Sequence, residues 1–238
     1  MNTPSPDILD RLDASDAILH NAGHGRLDKL REAIDRGGDV NYVRADQSPV
    51  FVAIHRRFVD CAVLLLEKGA DANLGTRARW RPLHEVARLD YEELVAPLVK
   101  HGANVNATDF GGVTPLLSAA QSKSVKALKR LIEAGALVDM ADYEGITPLI
   151  AAVKAESPEA TLALLNAGAN PMATTVNGET ALGLASKANW GAGVSMLQSV
   201  IKATGNEPAK PPVEPEVAAE PEPQALPVSR IGKRAGPR

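Results

Sequence analysis

A period of 33 residues runs through most of the chain and constrains its fold more than any other feature. Five tetrapeptides that resemble Thr-Pro-Leu begin at positions 48, 81, 114, 147 and 180. A Gly-Ala pair recurs with the same spacing at positions 69, 102, 135 and 168. Two independent markers that stay in phase over four or five copies indicate an array of stacked repeats.

Each repeat reads as two short helices followed by a projecting turn. Pro115 suits the first position of a helix, and the hydroxyl of Thr114 can accept a hydrogen bond from the backbone of that helix. The second helix carries an apolar stripe that includes Leu128 and Leu131. Gly135 follows it, where a left-handed residue ends a helix. Because one repeat cannot bury its stripe alone, stacking must supply the core.

The most regular copy carries a resemblance to a known family. Residues 101–109 read HGANVNATD, and residues 112–116 read GVTPL. These segments resemble the ankyrin repeat family, and the resemblance extends over about residues 13–204. It implies an all-α solenoid of six stacked helix-turn-helix units with projecting β-turn tips. The first and last units, which depart most from the pattern, would act as caps.

One departure from the family pattern concerns the turn between the two helices of each repeat. Many family members carry glycine there, whereas this chain keeps it only at Gly25 in the first repeat. The five later repeats carry Arg57, Asp90, Lys123, Glu156 and Asn189. Arginine, lysine and glutamate tolerate a positive φ less well than asparagine or aspartate does. We therefore expect moderate stability.

Three regions are predicted along the chain. Residues 1–12 form a polar N-terminal segment, residues 13–204 form the repeat domain, and residues 205–238 form a tail. Eight of the 17 prolines and five glutamates lie in the tail, which ends in basic residues. Such a composition cannot bury enough apolar surface to offset the entropy of ordering, so we expect a disordered tail. Its role as a docking motif, an autoinhibitor or an inert end stays open.

Nothing in the sequence indicates catalysis, a metal site or a cofactor. The only cysteine, Cys61, falls at an inward position of a second helix and reads as a small buried hydrophobe. His20 and His84 occupy the fourth place of the Thr-Pro-Leu-His-like segment, where the resemblance implies that the imidazole bridges neighbouring turns. No glycine-rich phosphate loop appears. We therefore expect a protein that is not an enzyme and needs no cofactor.

The resemblance also implies a concave groove built from the turn tips and the exposed ends of the first helices, which we call the groove surface. Its candidate partner-binding residues are Arg44, His55, Arg56, Arg77, Trp80, Arg88, Leu89, Phe110, Gln121, Tyr143 and Lys154. Because arginines cluster in the N-terminal half, we expect a partner segment that carries acidic residues, with Trp80 as its central anchor. The alternative is that the arginines are ordinary solvated surface and Trp80 packs against its neighbouring turn.

The leading functional interpretation is a monomeric, cytoplasmic adaptor, inhibitor or immunity-type protein that binds another protein. The N-terminus shows no secretory signal, no stretch is long and apolar enough to span a membrane, and a single cysteine fits a reducing compartment. A secreted effector that binds in the same way in another cell is a second interpretation. A nucleic-acid or anionic-surface binder is a third, and the net charge of −3 weighs against it.

Overall fold

The computed structural model describes residues 6–204, so the predicted tail at 205–238 lies outside the described residues. The described chain forms twelve helices in six antiparallel pairs, one pair per repeat. They are α1 Pro6–Ala22, α2 Leu27–Asp35, α3 Pro49–His55, α4 Val59–Glu67, α5 Pro82–Leu89, α6 Glu92–Lys100, α7 Pro115–Gln121, α8 Val125–Glu133, α9 Pro148–Lys154, α10 Pro158–Asn166, α11 Ala181–Lys187 and α12 Gly191–Thr204. The predicted all-α architecture is confirmed, and α1 begins earlier than the repeat boundary expected at residue 13.

The first helices begin where the Thr-Pro-Leu-like segments predict. The hydroxyl of Thr114 accepts a hydrogen bond from the Leu117 amide at 3.1 Å, and Thr147 caps α9 in the same way. Ser48 and Thr180 repeat the arrangement at α3 and α11. Each cap satisfies one of the amides that a helix start leaves without an intrahelical partner.

The two helices of each repeat are joined by a turn in which one residue is left-handed. This residue has a φ of +67° at Gly25, +70° at Arg57, +58° at both Asp90 and Lys123, +50° at Glu156 and +56° at Asn189. The geometry is thus the same in all six repeats, although only the first keeps glycine. A side chain in this conformation is sterically unfavourable, so stacking holds several repeats in a strained turn.

The helices pack in two layers. Each first helix contacts the first helix of the next repeat, and the second helices contact one another in the same order. Leucine, alanine, valine and isoleucine fill the continuous core between the layers. Cys61 belongs to this core, as predicted, and burial raises the pKa of its thiol, with Asp60 acting in the same direction.

A ladder of side-chain hydrogen bonds joins the loop that follows each repeat to the loop of the next. In each rung, a side-chain oxygen accepts a hydrogen bond from a backbone amide about one repeat later. The rungs are Asn41 to Asp71 (2.7 Å), Asn73 to Asn104 (2.9 Å), Asn106 to Leu137 (2.9 Å) and Asp139 to Asn170 (2.9 Å). The ladder satisfies backbone amides that have no hydrogen-bond partner within a helix, and it sets the register of neighbouring repeats.

His84 bridges two repeats, as expected. Its Nδ1 accepts from the Arg81 amide at 3.2 Å, so its Nε2 carries the proton and donates to the Val113 carbonyl at 2.9 Å. The ring is fully buried, and this burial lowers its pKa to about 4. His20 does not play the same part, because its ring is exposed on α1. Within residues 6–204, no helix combines the length and apolarity needed to cross a bilayer.

The strained turns yield a stability prediction. Lys123→Gly and Glu156→Gly relieve a steric cost of ~1–2 kcal/mol and add an unfolded-state entropy cost of ~0.5–1 kcal/mol, so each should stabilise the chain by about 0.5–1 kcal/mol. Asp90→Gly is the matched control, because the Asp90 carboxylate accepts a hydrogen bond from the Ala127 amide at 2.8 Å. Urea unfolding would measure all three. Equal stabilisation of the three variants would contradict the interpretation.

His84 yields a pH prediction. His84→Leu, which introduces the residue found at the equivalent Leu117, should destabilise the fold by about 2 kcal/mol at pH 7.5 because two hydrogen bonds are lost. The folded chain excludes a proton that unfolded histidine binds near pH ~6.5, so wild-type stability falls between there and pH ~4 by ~1.4 kcal/mol per unit. The urea midpoints of the wild type and of His84→Leu, measured at pH 7.5, 6 and 5, should therefore converge as the pH falls. A difference that stays constant with pH would refute this.

Candidate partner-binding surface

The stack places the candidate residues at two kinds of position. The ends of the first helices carry His55, Arg56, Arg88, Leu89, Gln121 and Lys154, and the turns before the first helices carry Arg44, Arg77, Trp80, Phe110 and Tyr143. All of these side chains are exposed except those of Trp80 and Leu89, which are partly buried. Leu89 packs against the core.

The turn tips are joined from repeat to repeat by backbone hydrogen bonds. The Phe110 amide donates to the Ala78 carbonyl at 3.2 Å, and the Tyr143 amide donates to Gly111 at 3.1 Å. The Val176 amide continues the series by donating to the Glu144 carbonyl of the preceding tip at 2.9 Å. Because each tip is held by its neighbour, side chains at equivalent positions form an ordered row.

This row changes character along the stack. Residues spaced by 33 are Arg44, Arg77, Phe110, Tyr143 and Val176. Phe110, Tyr143 and Val176 are 63%, 61% and 70% exposed, so three adjacent tips present apolar side chains to solvent. The Arg79 guanidinium lies 5.3 Å from the centre of the Phe110 ring, a cation–π contact. We call the five spaced residues the tip row; it is basic at one end and apolar at the other.

Glu85 on α5 joins three of the candidate residues. Its carboxylate, only 3% exposed, accepts hydrogen bonds from His55 Nδ1 at 2.8 Å and Trp80 Nε1 at 2.9 Å. Arg88 donates two more, through Nη2 at 2.6 Å and Nε at 3.1 Å. The Trp80 ring also packs against the His84 ring, with centroids 4.9 Å apart and the planes tilted by 33°. Trp80 is therefore held in one orientation instead of standing free in solvent.

Two opposing effects set the ionisation of Glu85. Burial by itself raises the pKa of the carboxyl, but the hydrogen bonds from Arg88, Trp80 and His55 outweigh it and leave the pKa lowered. Arg88 responds in the opposite sense, since its bond to Glu85 raises the pKa of the guanidinium. Glu85 is thus a buried anion that holds a cation, an indole and an imidazole in place.

Several of the arginines already have acidic neighbours. Arg44 pairs with Asp16 at 2.9 Å, and the backbone amide of Arg77 bonds to Asp46 at 2.8 Å. The Arg77 guanidinium, 90% exposed, lies 3.8 Å from the same carboxylate. Arg56 forms no ion pair with any other residue in the part of the chain that the structure describes. Among the candidate arginines, Arg56 is therefore the most available to a partner, followed by Arg77, whose exposed guanidinium is only loosely paired.

Two open depressions lie on the groove surface. One has a volume of about 290 Å³ and lies between the first two repeats; we call it the N-terminal depression. Its lining residues are Asp16, Leu19, His20, Gly23, His24, Arg44, Gln47, Phe51, Val52, His55 and Arg56. The other, of about 190 Å³, brings Gln121 and Lys154 together beside Ile146. Among residues 6–204, no three potential ligands are grouped in a way that could hold a metal ion.

Sequence reasoning missed Glu85, Asp16 and the pair of His20 and His24. Glu85 left a signal, because the equivalent positions in other repeats carry Val52, Ser118, Ala151 and Leu184. A charged residue at a position that is otherwise apolar or small needs buried partners. The roles of Asp16 and the two histidines left no such signal, because they depend on how the irregular first repeat packs against the second.

The chain is similar to proteins of one kind. A family model described as ankyrin repeats (3 copies) matches residues 18–109 and 108–175. An ankyrin repeat domain from Acinetobacter baumannii AYE superposes with a TM-score of 0.72 at 23% identity, over 77% of this chain and 96% of that one. The Bcl-3 ankyrin repeat domain, described as a unique member of the IkappaB protein family, gives 0.72 at 23% identity, over 77% and 85%. The ankyrin repeat protein EF0377 gives 0.73 at 23% identity, over 78% and 97%.

These structural likenesses show the fold. No curated protein sequence matches the chain.

The Glu85 contacts yield a further prediction. Glu85→Gln should destabilise the fold by about 2 kcal/mol at pH 7, because it removes a buried charge that Arg88 and His55 depend on. Since the folded pKa is lowered, this contribution is present above the unfolded value of ~4.3 and is lost as the pH falls below it. Urea unfolding would measure the change, with Glu144→Gln on an exposed tip as the control. Equal midpoints for the two variants would contradict the role of Glu85.

Proposed function

Because this chain belongs to the ankyrin repeat family, whose domains are generally protein-interaction modules, we propose that it is a non-enzymatic module whose groove surface binds an acidic segment of a partner protein. In this proposal the chain is a monomer and works as an adaptor, an inhibitor or an immunity-type protein. Cys61 is free and buried, which suits a reducing compartment such as the cytoplasm.

The tip row is the observation that carries the proposal. Three apolar side chains on adjacent tips are exposed to solvent, and exposed apolar groups brought close in this way are typical of protein interfaces. Arg44 and Arg77 continue the same row toward the N-terminus, and Arg56 adds a further cation at the end of α3. The matching partner segment therefore carries acidic residues over repeats two and three and apolar residues over repeats four to six.

Glu85 supports the proposal by ordering the surface before a partner arrives. A tryptophan that is already held loses little conformational freedom on binding, so more of its contact energy contributes to affinity. Trp80 lies between the basic and apolar parts of the tip row, at the position expected of a central anchor. Its indole N–H is already bonded to Glu85, so a partner would contact the ring face or edge.

The charge pairs argue against the nucleic-acid alternative. Binding of nucleic acid depends on many cations that neutralise phosphates. Here Arg44, Arg77 and Arg88 each lie beside a carboxylate of the same chain. Pairing leaves too few cations for a long phosphate backbone, whereas a short acidic peptide needs only the few that stay exposed.

Affinity capture from native lysate, followed by titration of the purified partner, tests the proposal. The variant Phe110→Ala/Tyr143→Ala should lower affinity at least tenfold, as expected for the loss of interface aromatics, and Arg56→Ala/Arg77→Ala should lower it by a smaller factor. The matched control is Leu137→Ala/Leu162→Ala, which truncates two exposed leucines outside the tip row. A captured protein that binds all three double variants with wild-type affinity would refute the groove surface as the binding site.

A further inference from the structure

The N-terminal depression, at the junction of the first repeat with the second, brings three histidines and two arginines together. The first repeat is expected from the sequence to act as a cap. We propose that the depression binds carboxylate groups of an acidic peptide segment, with His24 and His55 strengthening the binding as the pH falls from about 7.8 to about 5.8. The inference rests on the proposed function, since the ligand is the acidic part of the same partner segment. It adds a binding site in the first repeat and a dependence on pH.

Hydrogen bonds leave one ring nitrogen open on each of these two histidines. His24 Nδ1 lies 2.7 Å from the His20 carbonyl, so this nitrogen keeps its proton in both charge states. His55 Nδ1 lies 2.8 Å from the Glu85 carboxylate with the same consequence. Nε2 of each ring makes no hydrogen bond within residues 6–204. Each Nε2, once protonated, can therefore donate a hydrogen bond to a carboxylate in the depression.

His20 differs from the other two. Its Nε2 lies 3.4 Å from Arg26 Nη1, and because a guanidinium only donates, the imidazole nitrogen is the acceptor in this contact. The ring lies 4.2 Å from that of His24, with the planes tilted by 31°. A second proton on His20 would break the bond to Arg26, and the charged ring would repel both the Arg26 guanidinium and a protonated His24. The response to pH is therefore assigned to His24 and His55.

The surrounding charges favour an anion of modest size. The charged and titratable groups that border the depression or its histidines, on all elements packed there, are Asp16, His20, Arg26, Arg44, Arg56, Glu85 and Arg88. Asp16 pairs with Arg44, and Glu85 pairs with Arg88. Arg56 and Arg26 carry the remaining positive charge. Two added protons would thus raise the positive charge of the depression substantially.

The floor of the depression is apolar and closely packed. It contains Leu19, Phe51, Val52 and the backbone of Gly23. A Cβ atom at Gly23 would lie 2.9 Å from Val52 Cγ1, so glycine lets α1 and α3 approach. A cationic rim over an apolar floor suits an aspartate or glutamate side chain, whose methylene groups can contact the floor while the carboxylate reaches the rim. A volume of about 290 Å³ holds a few such groups and not a folded partner.

Histidine supplies the dependence on pH because it is the side chain type whose charge ordinarily changes between pH ~5 and ~8. Aspartate stays ionised over that range, so the ligand keeps its charge while the site gains charge. Affinity must therefore rise as the pH falls. The buried His84, with a pKa of about 4, stays neutral over this range, so the neighbouring repeat junction is not charged by the same change.

The test is a titration of the full chain into a rhodamine-labelled octa-aspartate peptide, followed by fluorescence anisotropy at pH 7.8 and 5.8 and constant ionic strength. The dye is chosen because its emission does not change over this range. Two new charge pairs at a partly exposed site should tighten binding about fivefold to tenfold at the lower pH. His24→Gln/His55→Gln should reduce this ratio to near one.

His101→Gln is the matched control. His101 Nδ1 lies 2.8 Å from the carbonyl four residues earlier, as in His24, but the ring lies outside the depression. This variant should keep the wild-type pH ratio. Arg56→Gln should weaken binding at both pH values, which would locate the peptide at the depression. Far-ultraviolet circular dichroism at both pH values verifies that each variant is folded.

Four results would overturn the inference. The first is equal affinity for the peptide at both pH values; the proposed function would then still stand on the captured partner and its tip-row variants. The second is an unchanged pH ratio in His24→Gln/His55→Gln. The third is tighter binding, at both pH values, of a single-stranded oligonucleotide with the same number of charges. The fourth is the absence of peptide binding at both pH values.

Discussion

Stacking of each repeat on the next is the constraint on which the whole structure depends. A single helix pair leaves its apolar stripe exposed, and only its neighbours can bury it. The side-chain ladder adds direction to this non-directional burial, because Asn73 and Asn106 each bond to one amide of the next repeat. Register is therefore fixed by polar groups, whereas the main stabilisation comes from apolar area.

This constraint explains why the chain tolerates strain at its turns. Lys123 and Glu156 adopt a left-handed conformation that neither residue favours, because the turn must bring the second helix back against the first. The same constraint orders the tips, where backbone bonds join Phe110 and Tyr143 to the preceding repeat. The backbone of the protruding tips is consequently held in place from repeat to repeat.

Buried charge is the other organising element of the groove surface. Glu85 occupies a position that other repeats fill with small or apolar side chains, and it holds Trp80, His55 and Arg88. A glutamate at this position costs the desolvation of a carboxylate, but it gives a surface whose aromatic and basic groups are already oriented. Glu85 also reduces the positive charge of the groove, because it pairs with Arg88. Arg56 and Arg77 are therefore more available to the carboxylates of a partner than Arg88 is.

The sequence by itself determined the repeat length, the helix pairs and the caps at residues such as Thr114, because these follow from local periodicity and from backbone preferences. It also located the tips that carry Phe110 and Tyr143. Only the tertiary structure decided which charges meet, since the pairing of Arg44 with Asp16 and the contacts of Glu85 join residues of different repeats or turns. Local patterns specify which face a side chain occupies. The partner across a repeat boundary depends on packing, and packing is a property of the whole stack.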